Sequence, residues 1–117
     1  IVGRKKDMVI RGGENIYPAE LEEFLLNIPN VLEAHVFGVP DEKFGESIVA
    51  WVIARDGAIV ESSELKELCR ENLAYFKVPN EIRIVKEVPL TATGKPQKFR
   101  MREIMLEEKK NVGSSAN

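Results

Sequence analysis

What the sequence has little of narrows it first. It contains one cysteine, Cys69, and one histidine, His35. A lone cysteine closes no internal disulfide and suits a reducing compartment. No CxxC or HxxxH spacing occurs, and a single histidine excludes a His-rich metal site. His35 has no nucleophile beside it in the sequence and is not read as a catalytic base. No apolar run is long enough to span a bilayer, and no signal-peptide pattern opens the chain. Charge of one sign is also missing: 17 Lys and Arg face 19 Asp and Glu, a net charge of −2. No overall field therefore draws the chain to nucleic acid or to an anionic membrane. No internal repeat or linker-like stretch is visible. With 44% hydrophobic and 31% charged residues among 117, the chain reads as one soluble globular domain near the lower end of the usual size range.

The patterns that are present predict an α+β fold. Met8–Ile10 and Asn15–Tyr17 are short apolar runs around Arg11-Gly-Gly-Glu14, which predicts a hairpin with a two-residue turn. Pro18 suits a helix start, and Glu20, Glu22 and Glu23 suit its positive end. Leu21, Phe24, Leu25 and Ile28 then share one helical face until Pro29-Asn30. Val31–Val39 reads as a strand, residues 40–45 as a loop, and Ser47–Ala54 as a central strand buried on both faces. Ser62 or Ser63 is the expected cap of a second helix, with Leu65, Leu68, Cys69 and Leu73 inward and Cys69 as plain core. Residues 75–80 read as a loop, Glu81–Val85 as a strand and Lys98–Lys110 as a final helix, with Met101, Ile104 and Met105 inward. Residues 111–117 read as a polar, frayed tail. The expected whole is a small central sheet flanked by helices, with an N-terminal two-stranded hairpin.

One stretch is built to present a cation. In Pro89-Leu-Thr-Ala-Thr-Gly-Lys-Pro96, the prolines forbid a helix and Gly94 permits a turn that a Cβ would oppose. Lys95 should stand at the tip of an ordered loop, able to enter another molecule's pocket and meet a carboxylate or phosphate. A solvated surface lysine is the plainer reading of the same spacing. Phe44 and Phe76 fall in predicted loops, where a core does not require them. An aromatic face can stack on a purine, and the neighbouring Lys43 or Lys77 can meet a phosphate. Both rings tucked over the core is the alternative. Trp51, in the central strand, is assigned to packing.

Two motifs at opposite ends of the chain carry a resemblance. Gly3-Arg-Lys-Lys-Asp7, running into Gly12-Gly-Glu-Asn-Ile-Tyr-Pro18-Ala-Glu-Leu-Glu22, resembles the hinge-and-hairpin motif of the adenylate-forming superfamily. Pro89-x-x-x-x-Gly94-Lys95 resembles its terminal catalytic motif. The superfamily includes acyl-CoA synthetases, luciferases and the adenylation domains of peptide synthetases, and the sequence around both motifs looks most like fatty or related acyl-CoA synthetases. The resemblance spans Gly3 to about Glu103. Pro96 departs from the Ile often found after Gly-Lys, which stiffens the loop and bears on the aim of Lys95.

The resemblance implies the small mobile lid of an ATP-dependent, AMP-forming acyl-CoA ligase. The lid would span residues 1–110, as the C-terminal piece of a longer protein whose large N-terminal domain holds ATP, the acid and most of the contacts to Mg2+. The overall reaction turns carboxylic acid, ATP and CoA into acyl-CoA, AMP and pyrophosphate through an acyl-adenylate. Lys95 would bridge carboxylate and nucleotide during adenylation. Asp7 would be the hinge for rotation between the two half-reactions, a role that needs backbone tolerance rather than a reactive group. Arg4 would reach toward the nucleotide. Gly12 and Gly13 would line the path of the pantetheine arm, and Phe44, Phe76 and Lys77 would hold the CoA nucleotide. In the family the lysine motif is also a site of reversible acetylation, which deletes the charge. On this reading the 117 residues alone are inactive, no metal ligand lies among them, and the compartment is cytoplasmic. Two other functions fit the residues: a stand-alone small-ligand or regulatory module, since fold alone does not fix function, and an adenylating enzyme that passes its acyl group to a carrier protein.

Overall fold

The computed structural model describes residues 8–115, with side chains through residue 109. The chain divides between Lys86 and Glu87 into two compact units. Arg4 and Asp7 lie outside the described residues.

The first unit opens with the predicted hairpin. Strand β1, Val9–Arg11, pairs antiparallel with β2, Glu14–Ile16, in the register Val9 to Ile16 and Arg11 to Glu14. Gly12 and Gly13 make the turn with φ of 57° and 86°. Two successive positive φ values define the mirror-image turn that matches strand twist, and glycine reaches both without a Cβ clash.

Helix α1, Pro18–Leu26, begins with proline at its first position. It ends earlier than the apolar spacing suggests. The Asn27 side chain donates to the Glu23 carbonyl at 2.9 Å, satisfying a helix-end acceptor and stopping the helix before Ile28. Ile28 still packs against the core from the following turn. Asn30 then takes a left-handed φ of 73°, a conformation asparagine tolerates.

Strand β3, Val31–Asp41, and strand β4, Gly45–Ala54, form a long antiparallel pair. The expected loop over residues 40–45 is therefore half strand. Pro40 is accommodated because β3 is an edge strand, where a missing N–H costs little. The connection shrinks to three residues, with the Asp41 carboxylate accepting from the Phe44 amide at 2.7 Å and Gly45 at φ 89°.

Helix α2, Ser62–Asn72, carries the chain to strand β5, Glu81–Ile84, which lies parallel to β4. A helical crossover is what a parallel pair requires. The sheet order is β3-β4-β5, so β4 is central, as its apolar run predicts. The residue before the first turn of α2 is Glu61, without a side-chain cap bond, in place of the expected Ser62 or Ser63 cap. Residues 75–77, expected as open loop, form one 3₁₀ turn.

One face of this sheet carries the core. Val36, Ile48, Ala50, Val52 and Ile82 meet Leu21 and Leu25 of α1 and Leu65 and Cys69 of α2, together with Val9 and Ile16 of the hairpin. The hairpin is thus anchored in the same core as the helices. Cys69 is fully buried, and burial pushes its thiol up to about 11, as expected for a core cysteine. On the other face Trp51 packs edge-on to Phe37, with centroids 5.9 Å apart.

The second unit holds the Lys95 loop and helix α3, Lys98–Ser115. The helix runs past the expected end at Lys110 and takes in part of the residues read as a tail. Met101 is buried as predicted, while Ile104 and Met105 are half-buried. Among the described residues no helix is long and apolar enough to cross a membrane.

Candidate functional site

The hairpin turn and the β3–β4 connection lie side by side. The Gly12 amide donates to the Phe44 carbonyl at 2.9 Å. A Cβ on Gly12 would stand 3.8 Å from the Phe44 ring, whereas one on Gly13 would meet nothing within 4 Å. Gly13 therefore presents bare backbone to open space. The Phe44 ring is 43% exposed and lies between two cations, with the Arg11 guanidinium 5.7 Å and the Lys43 ammonium 5.4 Å from its centroid.

The 3₁₀ turn brings Phe76 to the same place. Arg11 Nη1 donates to the Phe76 carbonyl at 2.9 Å, tying the hairpin to that turn. Phe76 is partly buried against the core and meets Tyr75 edge-on at 5.7 Å. Arg11, Gly12, Glu14, Phe44, Tyr75 and Phe76 line one cleft of about 350 Å³. Its lining combines three aromatic rings, the Gly12 backbone, the Arg11 guanidinium and the Glu14 carboxylate, so a flat ring can stack there and an anionic substituent would meet Arg11.

Gly12, Gly13, Phe44 and Phe76 are brought together. Phe44 is free to stack, whereas Phe76 combines both readings, its ring serving partly as packing. Lys77 does not line the cleft; its ammonium lies 2.8 Å from Glu20 Oε2 and 5.9 Å from the centroid of the Phe76 ring. Arg11 is the cation that lines the cleft, and Tyr75, 85% exposed, adds a third ring. The one signal for Arg11 in the sequence is its position next to the glycine pair.

Lys95 occupies a hairpin loop of its own. Thr91 N–H donates to the Lys95 carbonyl at 2.8 Å, Gly94 N–H to the Thr91 carbonyl at 2.9 Å, and Gln97 N–H to the Pro89 carbonyl at 2.9 Å. Thr91 Oγ1 accepts from the Lys95 amide at 3.0 Å and lies 3.0 Å from Thr93 Oγ1. Gly94 takes φ 87°, which closes a three-residue loop between Thr91 and Lys95. The backbone on both sides of Lys95 is fixed, and its side chain is exposed with no hydrogen-bond or ion-pair partner among the described residues. Pro96 pairs with Leu90 across the loop, so its stiffness belongs to the hairpin. No group of three His, Cys, Asp or Glu residues that could hold a metal occurs among the described residues.

A two-stranded hairpin, a three-stranded sheet backed by two helices and a lysine loop leading into a third helix define the small α+β domain that closes adenylate-forming enzymes. ATP-bound MatB from Rhodopseudomonas palustris superposes with a TM-score of 0.83 at 38% identity, over 89% of this chain and 21% of that one. A Mycobacterium tuberculosis fatty acyl CoA synthetase gives 0.74 at 42%, over 84% and 19%. The chain belongs to the AMP-binding enzyme C-terminal domain family, whose pattern matches residues 20–95. The mouse mitochondrial medium-chain acyl-CoA ligase ACSF2 is 52% identical over 105 residues, 90% of this chain and 17% of the relative. The chain therefore spans about a fifth of the length of the proteins it matches.

Proposed function

We propose that the chain acts as the lid of an ATP-dependent, AMP-forming acyl-CoA ligase, within a longer protein that carries the ATP and acid sites. The observation that carries this reading is the convergence of Gly12, Phe44, Phe76 and Arg11 on one cleft, with Lys95 held on a pre-formed loop of its own. Two chemical tasks are thereby given to two places. In the first half-reaction a carboxylate attacks the α-phosphate of ATP and pyrophosphate leaves. Charge builds on the phosphate, and the Lys95 ammonium supplies an aimed counter-charge. A group of this kind is typically worth about 3–4 kcal/mol in the transition state.

In the second half-reaction the CoA thiol attacks the adenylate carbonyl and AMP leaves. The bare backbone at Gly12 and Gly13 lets a thin pantetheine arm pass close by. Phe44, with Tyr75 and Phe76, receives the adenine ring, and Arg11 meets a phosphate. Lys77 can join only by leaving Glu20. Asp7 serves as the hinge for the turn between the two states, and Arg4 reaches the nucleotide. The acid is of the fatty or medium-chain class, as supported by the identity to ACSF2, and Mg2+ accompanies ATP in the large domain. The single thiol of Cys69 accords with a reducing compartment. We assign the cytoplasm, and imaging of the tagged full-length protein tests this against the mitochondrial placement of the mouse relative.

The test uses the chain joined to its natural upstream sequence, with a panel of carboxylic acids, following AMP and acyl-CoA. Wild type should form both products, and Lys95→Ala should lose AMP formation by about two to three orders of magnitude. AMP without thioester would move the acceptor from CoA to a carrier protein. Absence of both products with every acid would leave a binding module as the better account. Turnover of ATP by the 117 residues alone would contradict the division of labour.

A further inference from the structure

The glycine hairpin is a separate two-stranded sheet, seated on the core by Val9 and Ile16, and one carboxylate adds a side-chain tie from the large sheet to its edge. The pairing of Arg11 with Glu14 and Val9 with Ile16 turns the Ile10 amide away from β2, toward the β3–β4 connection. Among the described residues no strand pairs with it there. Instead Ile10 N–H donates to Glu46 Oε1 at 2.8 Å. Glu46 is half-buried at the start of β4, opposite Pro40. Its other oxygen passes over Gly38, where an added Cβ would stand 2.8 Å from Glu46 Oε2 and 3.0 Å from Val9 Cγ2. Gly38 has no positive φ, so a Cβ at this point would act through space and not through backbone conformation, pushing the Glu46 carboxylate and Val9 aside. Two further polar ties are Gly12 N–H to the Phe44 carbonyl at 2.9 Å, two residues from Glu46, and Arg11 Nη1 to the Phe76 carbonyl at 2.9 Å.

We propose that Glu46 is a positioning residue for thioester formation: seated over Gly38, it holds the edge of β1 and so sets where the Gly12–Gly13 backbone stands relative to Phe44. This rests on the reading of the hairpin as the pantetheine contact. The physical reason is that the turn's own glycines supply no side chain to anchor it, so part of its placement falls to a charge-assisted bond from the neighbouring sheet. A displacement of about 1 Å in a positioning element can cost about 100-fold in rate. Lys95 has its own local bonds, so the adenylation step does not draw on this pin.

The test takes Glu46→Ala, Glu46→Gln and Gly38→Ala in the chain with its natural upstream sequence, using octanoate, ATP and CoA. Two readouts are kept apart: acid-dependent pyrophosphate release for adenylation, and acyl-CoA formation from pre-formed octanoyl-adenylate. Glu46→Ala and Gly38→Ala should slow the second about 10- to 100-fold while leaving the first within about twofold, and Glu46→Gln, which keeps an acceptor oxygen, should recover most of the loss. Amide hydrogen exchange at Ile10 should accelerate in the Ala variants. Unchanged protection at Ile10 overturns the pin. Lost protection with both half-reactions unchanged, or equally slowed, overturns its role in positioning. Gly13→Ala separates the underlying reading: if that variant forms acyl-CoA normally, the hairpin is not the pantetheine contact, while the Ile10 exchange still decides whether Glu46 holds it.

Discussion

The Gly12–Gly13 turn and the Gly94–Lys95 loop are both glycine-made hairpins with left-handed residues at the tip, yet they are held in opposite ways. The lysine loop satisfies itself. Thr91 gives its amide, its carbonyl and its hydroxyl to residues 94 and 95, and Gln97 N–H closes the base on Pro89 before α3 begins. The glycine turn is held by others: Phe44 accepts from Gly12, Glu46 accepts from Ile10, and Arg11 reaches across to Phe76. A loop that carries a charge has to aim one atom, and short local bonds do that. A loop that offers bare backbone has to sit at a set distance from a ring on another element, and only tertiary contacts can fix that distance.

Variants that break one loop should therefore be legible in one half-reaction. The largest effect after loss of Lys95 itself is expected at Phe44. Base stacking on an aromatic ring is worth about 1–3 kcal/mol, so Phe44→Ala should raise the KM for CoA by about 5- to 150-fold, with acid-dependent pyrophosphate release unchanged. Phe76→Ala should combine a smaller CoA effect with lower thermal stability, since that ring is partly core. Equal losses in both half-reactions for Phe44→Ala would dissolve the contrast. A smaller effect is expected at Thr91. Thr91→Val keeps the shape and removes the acceptor of the Lys95 amide. A net hydrogen bond contributes about 0.5–1.5 kcal/mol, so adenylation should slow about 2- to 10-fold with the KM for CoA unmoved.

The contrast also marks how far the sequence could be read. Features set by local chemistry were visible in it. The Gly-Gly pair named its turn, Pro18 the start of α1, the unbroken apolar run the central strand, and the Pro-fenced glycine the lysine loop. Features set at long range were not. Nothing in Pro40-Asp-Glu-Lys-Phe-Gly45 says that Pro40 can stay in an edge strand. Nothing in the residues beside Glu20 says that it will take Lys77 out of the cleft and leave Arg11 in it. Glu46 and Gly38 are ordinary strand residues until β1 is laid across them. The division at Lys86 carries no change in composition. The end of α1 lay within reach, since an asparagine at position 27 competes for a helix carbonyl, but the apolar spacing of Ile28 outweighed it.

A buried reporter can show whether damage to either loop stays local. Cys69 sits in the core beneath the sheet, fully buried, and desolvation raises its thiol to about 11 from the ordinary 9.0. The native thiol is therefore both inaccessible and protonated at neutral pH, and a thiol reagent should modify it only through unfolding. The sign of the pH effect follows. The thiol ionises in the unfolded chain near 9 and in the folded one only near 11, so stability should be indifferent to this group below about 9. It should then fall as pH rises from about 9 to about 11, because the unfolded state loses its proton first. Alanine at Cys69 should flatten that alkaline decline. Measured at neutral pH, Cys69 modification should stay as slow in Phe44→Ala and Thr91→Val as in wild type. In Phe76→Ala it should quicken, because that ring packs on the same core. Rapid modification in Thr91→Val would mean that the lysine loop is not self-contained and that its stiffness is shared with the core.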